Sequence, residues 1–148
     1  MKIEHVEKIQ VKGIFAMNVF KNGELIEEYV ENNLVVNGAR DQIVRMIAGD
    51  FTNRNITSIA FGTSGTASTV DDTQITSQFV RAVTGFSYPA MGQVRIEWEL
   101  PTTENNGMAI MEFGLLTEDG TLFARRTRAN PIYKEPDISI AGYWTIVL

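Results

Sequence analysis

Apolar and polar residues alternate with a period of two over most of this chain, and the period turns helical only once. From Gln93 to Leu100 the alternation is clean, with Val94, Ile96, Trp98 and Leu100 on one face and Arg95, Glu97 and Glu99 on the other. That is the pattern of a strand with one side on a core. Residues 138–148 repeat it, with Ile138, Ile140, Trp144, Ile146 and Leu148 on one parity and Ser139, Tyr143 and Thr145 on the other. In residues 13–30 two apolar runs flank Lys21-Asn22-Gly23-Glu24. Asn-Gly between such runs is the strongest short hairpin signal, because both residues accept positive φ. A two-residue loop places Val19 opposite Ile26 and Phe15 opposite Val30. Phe15, Met17, Val19, Ile26 and Val30 are then expected on the core face, Glu27 and Glu31 in solvent, and Lys21 and Glu24 as a cross-strand ion pair.

Residues 108–126, MAIMEFGLLTEDGTLFARR, read as a second hairpin turning at Thr117-Glu118-Asp119-Gly120, with Asp and Gly supplying positive φ. Its first strand is apolar on both faces and carries one acid, Glu112. A carboxylate placed there must be paired, and the candidate partners are Arg81, Arg125 and Lys134. Leu34-Val35-Val36 forms a short strand before the one change of period. Ala39, Ile43, Met46 and Ile47 fall at helical spacing, Asn37 is a good N-cap and Gly49 a good residue just past the end. One short α-helix is therefore expected near residues 38–48, its apolar stripe on the sheet and Arg40, Asp41 and Arg45 outside.

Residues 56–61 read as another strand. Residues 62–69, GTSGTAST, are a polar loop without core-forming side chains and are expected to be mobile. Asp71-Asp72-Thr73 caps a turn before Phe79, Val80 and Val83. Many alternating strands with one helix predict an all-β fold of two antiparallel sheets packed face to face, with Trp98 and Trp144 as the large fillers. The expected form is a β-sandwich of jelly-roll or immunoglobulin-like type, with a partly open barrel as the alternative. The terminal strand and the first hairpin are the expected edges, since neither has an internal proline and the terminal strand carries no charge after Asp137.

The 148 residues fit a single domain, 1–148, with residues 1–12 expected to be loosely held. A formal charge of −5 argues against nucleic-acid binding, the main basic cluster being Arg125, Arg126 and Arg128. Without cysteine there is no disulfide, thiolate site or cysteine nucleophile. The start, MKIEHVEKIQVKG, has no apolar core of a secretion signal, and no run reaches the roughly 18 apolar residues of a membrane span. His5 is the only histidine, which leaves serine–histidine catalysis and multi-histidine metal sites without a basis. Residues 62–66 lack the spacing and lysine of a phosphate-binding loop. Glu97 and Glu99 lie about 7 Å apart on one strand face, within the range of glycosidase carboxylate pairs, yet alternating charges are also the ordinary dress of a solvated face. Asp71-Asp72 and Glu118-Asp119 offer oxygens without the spacing of a calcium loop. No catalytic residue, metal, cofactor or obligatory small molecule is expected.

The run Asn33-Leu34-Val35-Val36-Asn37-Gly38-Ala39-Arg40 is followed by Ile59-Ala60-Phe61-Gly62-Thr63, by Asp72-Thr73 and by Glu112-Phe113-Gly114-Leu115-Leu116. Gly120-Thr121-Leu122-Phe123-Ala124-Arg125, then Lys134, then Trp144-Thr145-Ile146 complete the series. In this order, over residues 33–148, the chain resembles a family of small tailed-bacteriophage and prophage structural proteins. It departs from the family's commoner pattern at Gly62-Thr63-Ser64-Gly65 and at Phe79-Val80-Arg81. The resemblance implies a virion component of the tail, fibre, baseplate or head decoration, assembled in the bacterial cytoplasm. Its partners would be itself, as a homo-oligomer, and other virion proteins. Glu112 and Lys134 would be fold-keeping groups. The alternative is a carbohydrate or cell-surface binding module using Tyr88, Tyr133 and Tyr143 as stacking faces.

Overall fold

Asn22 and Gly23 both take positive φ, 51° and 78°, which a two-residue hairpin turn requires, and Lys21 stands opposite Glu24. They join β1 (Lys12–Lys21) to β2 (Glu24–Val35). The computed structural model describes residues 10–148, so His5 and most of the segment expected to be loosely held lie outside the described residues. Beyond the turn the register slips: Phe20 faces Leu25, Val19 faces Glu27, and Ile26 has no partner. A one-residue slip exchanges the two faces of a strand. Phe15, Met17 and Val19 are in the core, but Ile26 and Val30, expected beside them, are 57% and 64% exposed. Tyr29 takes the core-side place instead, edge-on to Phe15 at 6.1 Å. Lys21 has Asp137 rather than Glu24 as its ion partner, at 3.9 Å.

After α1 (Asn37–Ile47) come β3 (Ile56–Gly62), β4 (Phe79–Ala82), β5 (Gly85–Ser87), β6 (Gln93–Leu100), β7 (Ala109–Thr117), β8 (Leu122–Tyr133) and β9 (Ile138–Val147). The protein is mainly β with one short helix, as the pattern predicts. In place of two separate sheets, one antiparallel sheet of nine strands runs in the order β4-β3-β7-β8-β2-β1-β9-β6-β5 and curls into a half-barrel. Two features make it continuous. β2 reaches into both halves, pairing with β1 along its length and with β8 only through Leu34↔Arg125 and Val35↔Ala124. The two outermost strands, β4 and β5, are one stretch of chain interrupted only by Val83 and Thr84, whose amides bond Thr57 O at 3.0 Å and Glu97 O at 2.8 Å. The curl closes over an aromatic core. Phe15 lies 4.8 Å from Phe113 and Trp98 lies 5.7 Å from Phe61, each pair spanning the two halves.

The terminal strand is not an edge. β9 pairs with β1 on one side and β6 on the other, and its lack of charge is that of a strand bonded along both sides. The first hairpin does supply a free edge, because residues 24–33 of β2 have no ladder to β8. In α1 the stripe is only partly inward. Ala39 is buried and Ile43 half-buried, whereas Ile47 is 81% and Val44 63% exposed. The inward place is taken by Gln42, 2% exposed, which reaches the turn between β7 and β8.

Candidate functional site

Glu112, fully buried on β7, organises the polar interior. Its Oε2 accepts from Arg125 Nε at 2.8 Å, and its Oε1 accepts from the backbone amides of Thr76 at 2.7 Å and Ser64 at 3.1 Å. Arg125, itself 5% exposed, donates from Nη1 to Asp72 at 2.9 Å, so one guanidinium holds two carboxylates. Burial pushes the Asp72 carboxyl up, but the Thr69 amide and hydroxyl and the Arg125 guanidinium hold it below its ordinary value. Gly62 lets the carboxylate in, because a methyl group there would run into Glu112 and Ile75.

Residues 62–69, expected to be mobile, are therefore tied down. Ser64 and Thr69 contribute the contacts just named, and Ser68 Oγ donates to Arg125 O at 3.4 Å. The loop is fixed by the Ser64 amide on Glu112, by Thr69 on Asp72 and by Ser68 on a backbone carbonyl, contacts that a search for core-forming side chains does not detect. Chemically the cluster is saturated: the Glu112 oxygens accept three hydrogen bonds, and Arg125 is clamped between two acids. It holds a hairpin and two loops together.

The other two candidate partners of Glu112 lie elsewhere. Arg81 on β4 bonds Glu104 Oε2 at 2.6 Å and has Glu99 at 3.6 Å, since β3 separates its strand from β7. Lys134, fully buried just past β8, donates to Asn106 Oδ1 at 2.8 Å and to the carbonyls of Thr102 and Glu135 at 3.3 Å each. Burial lowers its pKa, and Asp137 and Glu104 oppose that. It pins the loop between β6 and β7 to the start of the β8–β9 connection. In the β7–β8 turn only Gly120 has positive φ, at 85°. Asp119 works through its side chain, accepting from the Thr117 hydroxyl, from Thr121 N at 3.0 Å and from Gln42 Nε2 at 3.1 Å. The Thr117 hydroxyl, with help from Thr121 and Gln42, holds its carboxyl far below the usual carboxylate range.

Glu97 and Glu99 stand exposed on β6, on the outer side of the strand whose Trp98 enters the core. Tyr143 is covered by Arg95, whose guanidinium carbon lies 4.2 Å from the ring centre, while Tyr88 and Tyr133 are 81% and 66% exposed. Asp71 accepts from Asn37 Nδ2 at 3.0 Å. Among the described residues no three His, Cys, Asp or Glu side chains gather as metal ligands, and no helix is long and apolar enough to cross a membrane. Where β2 and β8 diverge, Arg126 donates to the Tyr29 hydroxyl and to Asn32 O, and Arg128 Nη2 bonds Glu27 at 3.0 Å. Val44, Ile47 and Phe51, just beyond the helix end, turn outward, with Phe51 68% exposed. No family model, curated protein or solved structure matches the chain.

Proposed function

We propose that this protein is a structural component of a tailed-phage or prophage particle, acting by contact with further copies and with other virion proteins and not by catalysis. The observation that carries the reading is the outer face of α1: the helix buries Ala39 and Gln42 but presents Val44, Ile47 and the following Phe51 to solvent. A surface helix that covers a sheet normally turns such residues inward, and exposed apolar residues of this size mark an interaction surface. The motif order over residues 33–148 supplies the setting, and the saturated network around Glu112 suits a part whose task is to keep its shape under load. Mass spectrometry of purified particles from the strain carrying the gene tests this. The chain is expected in fixed proportion to the capsid or tail proteins, and complete particles that lack it overturn the reading. A second reading, binding of a surface glycan, rests on the exposed rings of Tyr88 and Tyr133. It predicts binding on a glycan array that Tyr88→Ala or Tyr133→Ala abolishes.

A further inference from the structure

We infer that the free edge of β2, residues 24–33, is a strand-addition site for an extended basic segment of another protein. The backbone orientation follows from two bonds. Val36 N donates to Phe123 O at 3.1 Å, and Asn32 O accepts from Arg126 Nη1 at 3.1 Å, so even-numbered residues here turn their peptide groups away from β1 and towards β8. Alternation gives Val30 and Glu28 the same orientation. β8 has already left, since its last ladder pair with β2 is at Leu34, and neither Val30 nor Glu28 has another backbone partner among the described residues. Between the bulge at Ile26 and the Asn32 carbonyl, which Arg126 takes, the peptide groups of Glu28 and Val30 are open to a further strand. The facing rim of β8 is not an equivalent template. Its register to β7 jumps from Thr127 to Ile132 opposite the single residue Met111, and Pro131 lies inside the jump.

Charge selects the occupant. Glu24, Glu28 and Glu31 are exposed and have no ion partner among the described residues, while Glu27 is held by Arg128. A second copy laid antiparallel on this edge would bring glutamates against glutamates, which disfavours self-pairing. Alternation puts Tyr29 and Glu31 on one face and Glu28 and Val30 on the other, so a strand carrying lysine or arginine at alternate positions meets Glu31 or Glu28, according to the face to which it turns them. Exposed Val30 and Leu25 offer apolar contact between the charges, and the cleft of about 490 Å³ lined by Glu27, Tyr29, Arg126 and Arg128 leaves room on the inner side.

The probe is a short synthetic peptide of alternating Lys and Thr, compared with a peptide of the same charge carrying a central proline. Expected are binding of the alternating peptide and slowed amide hydrogen exchange at Glu28 and Val30, with the proline peptide at least about tenfold weaker. The Glu28→Lys/Glu31→Lys double variant, both positions being exposed, should fold and lose binding. Val30→Pro removes an amide that faces away from β1 and should also fold and lose binding. Equal binding of the proline peptide means charge attraction alone and overturns the proposal. So does binding that leaves the Glu28 and Val30 amides unchanged. Neither result bears on the particle reading, which mass spectrometry decides.

Discussion

Glu112 is held in the interior by three hydrogen bonds, one of them from Arg125, so removing its carboxylate leaves Arg125 short of a partner where water cannot replace it. Glu112→Ala should cost about 3–5 kcal/mol, whereas Glu97→Ala on the exposed face should stay within about 0.5 kcal/mol. Urea titration of both variants checks this, and equal losses would mean that the interior pair contributes nothing special. The need for a partner is legible in the sequence, since one acid in a strand apolar on both faces cannot stay unpaired. The choice of Arg125 over Arg81 and Lys134 is not, because it depends on which strands become neighbours. The amides of Ser64 and Thr76 are invisible for the same reason. Acid sensitivity follows from Asp119 and Asp72, whose carboxyls are lowered in the folded protein. Groups of this kind contribute stability that is fully present above the unfolded value of about 4 and is lost as pH falls below it. The melting temperature should therefore drop below about pH 4. Asp119→Asn should be clearly less stable than the parent at pH 7, and the gap should narrow towards about pH 2. A gap independent of pH would exclude Asp119 as a source of the acid loss.

The first hairpin and the helix show where local pattern gives way to packing. Asn22-Gly23 sets the turn by conformational preference alone, and the structure has it where the pattern does. The bulge at Ile26 is a tertiary outcome: it brings Tyr29 against Phe15 and leaves Val30 outside, and neither apolar count nor alternation distinguishes the two registers. Helical spacing likewise locates α1 but misreads its last turn, because Gln42 is drawn inward by Asp119 and Arg54, the latter donating to Gln42 Oε1 at 2.7 Å. The outward face that results is the surface assigned to assembly. Ile47 is so exposed that Ile47→Asp should change folding stability by no more than about 0.5 kcal/mol. Light scattering at micromolar concentration should show the parent associating and the variant monomeric. A parent that stays monomeric would remove self-association from the role of this face and leave it to a different virion protein.

Closure of the sheet bears on both its stability and its solubility. Expected edges at the terminal strand argued for association through β9, but β9 is central, and the ends of the strand order are the short β4 and β5. Short edge strands limit unwanted pairing at these two ends, so the exposed edge is the one that β2 presents where β8 diverges from it. The alternation in the sequence shows the strands but not this closure, since a break of two residues at Val83 and Thr84 looks like an ordinary loop until β3 and β6 are known to lie on either side of it. Val83 N bonds Thr57 O and Thr84 N bonds Glu97 O, so one residue is fastened to each half of the sheet. If the two ends are held as one unit, loosening one should loosen the other. Thr84→Pro removes the amide that bonds Glu97 and should cost about 1–3 kcal/mol through the unsatisfied carbonyl and the altered backbone. Hydrogen exchange should then quicken in β4 as well as β5, because β4 is short and its position depends on the same stretch of chain. Quickened exchange confined to β5 would show that each end of the sheet is secured independently and that the curl is not maintained through this junction.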